Sequence, residues 1–221
     1  MKQIAVIGLG SFGFTLARKL SELGTEVLVI DANEVLIDRI KVYVDKAVLG
    51  DATDPRIFSE LDLSEMDTVV LGLGDELEAS VLAALHLKEL GCRRIVTKVT
   101  SEDHEKVMKL IGADMTVFPE RDTAIRLAHS LSGQHIAEYL PLGPDLSIIQ
   151  VKPLPAMVGK TVAELKFREQ YRCQIVAIHE TIKPGRVFIP QAGTTIREDH
   201  LLFIIGANED VDRLGSKAER Q

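Results

Sequence analysis

A glycine turn set between an apolar run and an amphipathic one constrains this chain more than any other feature. Gln3 to Ile7 is apolar and strand-like, Gly8-Leu9-Gly10-Ser11-Phe12-Gly13 follows, and Leu16, Leu20 and Leu23 then recur at helical spacing until Gly24. A Gly-x-Gly-x-x-Gly turn between strand and helix has a direct physical reading. Gly8 permits the tight turn, Gly10 lets the backbone approach a pyrophosphate, and Gly13 lets the helix pack closely on the strand. The N–H groups that open the helix then face an anion. Asp31 closes the second strand, Glu26 to Ile30, 18 residues after Gly13. A carboxylate there accepts hydrogen bonds from adenosine ribose hydroxyls, and no adjacent Arg provides for a ribose 2′-phosphate.

The same unit repeats along the chain. Ala47 to Leu49 leads into Gly50-Asp51-Ala52-Thr53-Asp54, with Asp54 as N-cap and Pro55 at the first helical position. Thr68 to Leu71 leads into Gly72-Leu73-Gly74-Asp75 and a helix ending near Leu90-Gly91. Arg94 to Val99 and Met115 to Phe118 add two more strands around a helix with Val107, Leu110 and Ile111. Six strands alternating with helices predict an α/β fold, a Rossmann-like doubly wound parallel sheet over residues 1–118. In such a sheet ligands bind at the carboxyl ends of the strands. Asp51, Ala52, Thr53, Gly72, Gly74, Lys98 and Glu120 are therefore expected to face the crevice. An ammonium at Lys98 among apolar neighbours needs a partner, which a phosphate or Glu120 supplies.

Beyond Phe118 the rhythm changes. Arg121 to about Leu140 reads as one long helical stretch, interrupted at Gly133, so residues 119–140 are expected to link two domains, and Pro141-Leu142-Gly143-Pro144 marks a boundary. Leu146 to Val151, a short helix around Val162 to Phe167, Gln174 to His179, Val187 to Ile189 and Leu201 to Ile205, with a Lys183-Pro184-Gly185-Arg186 turn, predict a smaller α+β domain over 141–221. A unit of about 80 residues gains from pairing with a second copy.

Several function classes are excluded. A net charge of -7 gives no global attraction to nucleic acid. The apolar runs are strand-sized, and the N-terminus enters a strand at once, which points to a cytoplasmic protein. Cys92 and Cys173 form no CxxC pattern. Phe14 and Thr15 stand where a Walker loop needs Lys and Ser/Thr, and Leu9 excludes a nucleophile elbow. His86, His104, His129, His135, His179 and His200 show no metal spacing, and no proton-transferring pair suited to a nicotinamide stands out, so the catalytic and metal-enzyme readings are thin. An NAD-dependent oxidoreductase remains the alternative from the enzyme class.

Taken together, Ala5-Val6-Ile7-Gly8-Leu9-Gly10-Ser11-Phe12-Gly13, Val29-Ile30-Asp31, Gly50-Asp51-Ala52-Thr53-Asp54, Leu87-Lys88-Glu89-Leu90, Lys106 to Asp114, Pro119-Glu120-Arg121-Asp122, Tyr171-x-Cys173-x-Ile175 and Leu201 to Gly206 resemble the cytosolic regulatory subunits of Trk/Ktr-type potassium transporters. These are built from RCK (TrkA-N and TrkA-C) domains. The resemblance implies a non-enzymatic regulator that binds ATP, ADP or NAD(H) and forms dimers that assemble into an octameric ring. It implies a membrane potassium-translocating subunit of the TrkH/KtrB kind as partner, and a location at the inner face of the membrane through that partner. Carried over by position, Gly8, Gly10, Ser11, Phe12 and Gly13 hold phosphates, Asp31 the ribose, Asp51, Ala52 and Thr53 the adenine side, Lys98 a phosphate, and Glu120 a Mg²⁺ or Ca²⁺ ion. Arg168 matches a position used for cyclic di-AMP in some relatives. Ser11 departs from the Arg common in ATP-responsive members. A gating ring of a potassium channel is the other related reading.

Overall fold

The computed structural model describes residues 2–74, 76–132, 136–143, 145–182 and 186–217. Asp75, Gly133, His135, Pro144 and the Lys183-Pro184-Gly185 part of the second-domain turn lie outside them. The chain forms two compact units, residues 1–120 and 121–221.

The first unit alternates strands and helices: β1 (Gln3–Ile7), α1 (Ser11–Glu22), β2 (Glu26–Asp31), α2 (Glu34–Ile40), β3 (Lys46–Leu49), α3 (Pro55–Glu60), β4 (Thr68–Leu71), α4 (Leu77–Glu89), β5 (Ile95–Lys98), α5 (Glu102–Ile111) and β6 (Met115–Val117). Its six strands run in the order β3-β2-β1-β4-β5-β6, with all pairs parallel, which is the doubly wound arrangement expected. Successive residues of each strand feed opposite faces. Val6, Val27, Val29 and Val70 pack with Ala17, Ile37 and Ile40 of α1 and α2, whereas Ala5, Ile7, Leu28, Ile30 and Leu71 pack with Phe58, Ala83, Leu87 and Met108 of α3 to α5. Asp54 caps α3 through the Arg56 N–H, with Pro55 opening the helix, as its sequence position suggests.

Three aspartates fasten the amino ends of the strands. Asp67, just before β4, accepts from Gln3 N at 2.8 Å; Asp45, just before β3, from Val27 N at 2.8 Å; Asp114, just before β6, from Ile95 N at 2.7 Å. Each bond lies one residue ahead of the paired register, since Ile4 faces Thr68, Leu28 faces Lys46 and Val96 faces Met115.

The second unit holds α6 (Pro119–Ser132, which opens at the end of the first unit), β7 (Ile136–Pro141), β8 (Leu146–Val151), α7 (Phe167–Tyr171), β9 (Gln174–Glu180), β10 (Arg186–Phe188), β11 (His200–Ala207) and α8 (Asn208–Lys217). Its antiparallel sheet has the order β10-β9-β11-β8-β7 over a core that includes Ile149, Ile178, Leu202 and Ile204. Three local expectations are corrected. The helix stops at Ser132, and 136–141 form a strand, because Tyr139 faces Ile149 across an antiparallel ladder and is buried there. The short helix lies at Phe167–Tyr171, since Val162 N and Ala163 N are taken by the carbonyls of Thr194 and Ala192. A terminal helix, α8, joins the core through Val211 and Leu214. No helix among the described residues is long and apolar enough to cross a membrane.

Candidate functional site

The glycine turn is built by close packing on one side and open space on the other. Gly8 sits at φ +90°, a left-handed conformation that glycine adopts without strain, and its N–H donates to Ile30 O at 2.8 Å. A Cβ on Gly13 would stand 1.9 Å from Gly8 O, and one on Gly72 2.7 Å from the same oxygen. Gly8, Gly13 and Gly72 therefore serve backbone contact between β1, α1 and β4. Gly10 differs, because nothing lies within 4 Å of its ideal Cβ. Directly after it α1 begins, with no side-chain cap and no acidic residue in its first turn. The N–H groups at this end of α1, with Ser11 exposed and Phe12 half-buried, border a clear approach for an anion.

Asp31 is tied to the same turn. Its carboxylate accepts from Leu9 N at 2.5 Å and from Asn33 N at 2.7 Å, so it stands at the rim of the turn with lone pairs left for hydroxyl donors. Asp51 Oδ1 accepts both the Thr53 N–H and the Thr53 hydroxyl, each at 2.8 Å. Those two hydrogen bonds, the backbone one first, hold its carboxyl below the usual carboxylate range. Ala52 is buried beneath them. Beside Thr53 an open groove runs along the start of α4, walled by Leu77, Ala79 and Leu82, with Glu76 and Glu78 at its edge. Its apolar walls suit a flat heterocycle, and these α4 residues have no motif in the sequence to announce them.

Across the sheet, Lys98 is 5% exposed and its Nζ lies 2.8 Å from Glu120 Oε1. The Lys98 stem lies against Gly74, whose ideal Cβ would be 3.0 Å from Lys98 Cδ. Thr100 Oγ1 donates to Gly74 O at 3.1 Å. Hydrogen bonding from Lys98 holds the Glu120 carboxyl below its ordinary range. The partner that a buried ammonium requires is thus Glu120, which stays largely open to solvent. Gly8 to Gly13, Asp31, Asp51, Ala52, Thr53, Gly72, Lys98 and Glu120 all come to the carboxyl edge of one sheet.

Arg168 lies in the second unit. Its Nε donates to Gln174 Oε1 at 3.1 Å, and a second guanidinium nitrogen contacts the same oxygen. The two residues border an open cleft with Val162, Lys166, Phe167, Ile175 and Pro190. Lys166, Arg168 and Glu169 are its charged residues, with Lys166 Nζ 3.9 Å from Glu169 Oε2, and Phe167 and Pro190 give it apolar surface.

The glycine turn, the rim carboxylate and the strand-end Lys98 on a six-stranded parallel sheet define a dinucleotide-fold unit followed by a smaller α+β unit. The TrkA-N domain model matches residues 4–119 and the TrkA-C domain model residues 146–218, and the chain belongs to this TrkA family. It is 37% identical over 214 residues to Ktr system potassium uptake protein C of Bacillus subtilis (strain 168), covering 96% of this chain and 95% of that one. Ktr system potassium uptake protein A of the same organism is 34% identical over 213 residues, covering 96% and 95%. Among solved structures, the GsuK channel bound to NAD superposes with a TM-score of 0.68 at 21% identity, over 95% of this chain and 38% of that chain.

Proposed function

We propose that this chain is the nucleotide-sensing regulatory subunit of a Ktr-type potassium uptake system. The observation that carries the reading is the end-to-end similarity to Ktr system potassium uptake protein C, combined with an anion-ready glycine turn. In this reading the N–H groups at the start of α1 bind the phosphates, Asp31 receives the ribose hydroxyls, and the groove beside Thr53 and Leu77 takes the adenine. The pair Lys98–Glu120 lies at the start of α6, the helix that leads into the second unit. A ligand that draws on Lys98 therefore alters the first turn of that helix. Chains of this kind pair into dimers and an octameric ring beneath a membrane potassium-translocating subunit, at the cytoplasmic face.

The crevice senses and does not convert. Asp51 and Glu120 are both held ionised, so neither is poised as a general acid at neutral pH, and Lys98 is committed to Glu120. Among the described residues no group of three His, Cys, Asp or Glu side chains can hold a metal by itself. Glu120 therefore fits a Mg²⁺ or Ca²⁺ ion only as one ligand, with phosphate oxygens supplying others. The cleft at Arg168 and Gln174 is the place for cyclic di-AMP, with the guanidinium on a phosphate.

The test is potassium uptake by vesicles carrying the membrane subunit, with and without this chain and nucleotide. Nucleotide-dependent stimulation that Asp31→Ala weakens is expected. Steady nicotinamide oxidation by the purified chain would favour a dehydrogenase, and uptake indifferent to the chain would remove the regulatory reading.

A further inference from the structure

The core-facing row of β11 begins with a histidine. His200 is 2% exposed and lies opposite Glu180 of β9 in the antiparallel ladder, at the next inward position after the apolar pair Leu202 and Ile178. Residues directly opposite each other bring their side chains within reach. Yet Glu180 Oε2 and His200 Nε2 are both buried, and both lack a hydrogen-bond partner. The other ring nitrogen, Nδ1, accepts the Arg197 N–H at 3.3 Å. A ring that accepts at Nδ1 is neutral and carries its proton on Nε2. We propose that His200 is an acid-released latch on the loop 190–199, and through that loop on one wall of the Arg168 cleft. The latch acts on the shape of the cleft, whichever ligand enters it.

The loop supports that wall through its backbone. The carbonyls of Ala192, Thr194 and Ile196 accept from Ala163 N at 2.9 Å, Val162 N at 3.0 Å and Gly159 N at 2.9 Å, and Ile196 N donates to Lys160 O at 2.8 Å. Val162 and Pro190 line the cleft. Around the ring, Glu180 Oε1 and Asp199 Oδ1 each hold the Arg197 guanidinium at 3.0 Å, and Arg186 of β10 stands opposite Glu180. Phe188 of β10 turns an apolar ring to His200, and Lys152, just past the end of β8, is exposed. Burial first, and Arg197 second, lower the His200 pKa, against Asp199 and Glu180, which raise it. When the ring takes a second proton, Nδ1 becomes a donor facing the Arg197 N–H. That tie is then lost, and the ring is free to turn Nε2–H onto the bare Glu180 oxygen. The closed loop thus takes up the proton less readily than the opened one. Opening grows easier as pH falls below the ordinary histidine value of about 6.5, by up to about tenfold per pH unit.

The experiment is hydrogen exchange of the full chain from about pH 7.5 to about pH 5, read by mass spectrometry and corrected for the intrinsic pH dependence of exchange. Peptides over 158–165 and 191–199 should lose protection about fivefold between about pH 7 and about pH 5.5, while the β8 peptide 146–151 keeps its own. In His200→Asn the side-chain oxygen accepts the Arg197 N–H without titrating, so the loss should disappear. Slow deuteration at the ring C2 carbon of the parent reads the His200 pKa itself, expected below about 6.5. Glu180→Gln should move the loss to lower pH. Protection that stays constant with pH in the parent overturns the latch, as does a His200 pKa at or above the ordinary value. An equal loss over 146–151 means that the whole unit unfolds, and a parent-like loss in His200→Asn means that another group titrates; either result also overturns it.

Discussion

Substituting alanine at Gly10 and at Gly13 separates binding from packing within one turn. At Gly13 the added methyl would sit 1.9 Å from Gly8 O and 3.1 Å from Gly8 C, far inside contact distance. The obstructing atoms are backbone, held by the bond from Gly8 N to Ile30 O and by a φ of +90°, so they cannot swing aside as a side-chain tip could. Overpacking costs about 1–3 kcal/mol, and a rigid neighbour puts this site at the upper end. Against that, Ala gains about 1 kcal/mol over Gly inside a helix. A net loss of about 2 kcal/mol follows, which lowers Tm by roughly 6–12 °C for a unit of this size. At Gly10 the backbone is at φ -57°, ψ -179°, open to any residue, and the methyl meets nothing. Gly10→Ala should hold its Tm within about 1 °C yet lose nucleotide affinity at least tenfold, because the methyl fills the approach to the α1 N–H groups. Thermal unfolding by circular dichroism and calorimetric titration read the two effects. Unchanged nucleotide binding in Gly10→Ala, or an unchanged Tm in Gly13→Ala, would refute the division of roles.

Three further outcomes are expected. Asp114→Ala strips the buried Ile95 N–H of its acceptor and should cost about 1–2 kcal/mol in urea unfolding, whereas a loss below about 0.3 kcal/mol would mean that water replaces the carboxylate. His104 is 3% exposed with both ring nitrogens unpartnered, and burial lowers its pKa, so the unfolded chain takes up a proton first as pH falls. Stability supplied by the neutral ring is complete above the unfolded value of about 6.5 and is lost below it; between pH 7 and 5 the parent should lose more stability than His104→Met, and parallel curves would contradict this. Burial first, and Asp210 second, push the Cys173 thiol up to about 11. The native chain should therefore react with a thiol reagent at pH 8 only as fast as it unfolds, and prompt labelling at Cys173 would be incompatible with its burial.

The parts that could be read from sequence are those where one residue type answers one local demand. A glycine at position 8 follows from a left-handed turn, a glycine at 13 from backbone contact, and Asp54-Pro55 from a helix start; each appears where it was expected. Lys98 and Glu120, 22 positions apart, could be paired because an ammonium among apolar neighbours demands a partner. What escaped depended on distant partners. Ile136 to Leu140 carries helix-compatible residues, and only pairing with the strand Leu146 to Val151 makes it a strand. Val162 was drawn out of a helix by a carbonyl 32 residues away, at Thr194. For α8, Glu209 and Asp210 in the first turn with Val211 and Leu214 at i, i+3 were a usable signal that strand patterning obscured. The groove walls at Leu77, Ala79 and Leu82 are ordinary helix residues until the fold sets them beside Thr53.

The aspartates before β3, β4 and β6 settle a question that the sheet's own composition leaves open. A parallel sheet covered on both faces has no polar side to penalise a slip of one position, so its Val- and Ile-rich strands tolerate several alignments. Asp45, Asp67 and Asp114 each accept an N–H that only one alignment presents, so they lock β2 to β3, β1 to β4 and β5 to β6. The two seams left over, β1 with β2 and β4 with β5, carry side-chain ties at both edges: Gln3 Nε2 donates to Glu26 Oε2 at 2.9 Å and Arg93 lies 3.9 Å from Asp67 at the amino edge, while Asp31 accepts from Leu9 N and Thr100 donates to Gly74 O at the carboxyl edge. The aspartate fasteners thus sit at the amino edge, away from the glycine turn, whereas the carboxyl-edge ties run through the loops that a nucleotide would touch. A ligand seated on the glycine turn therefore acts on the Asp31–Leu9 and Thr100–Gly74 contacts, while the amino-edge aspartates hold the strand alignment unchanged beneath it.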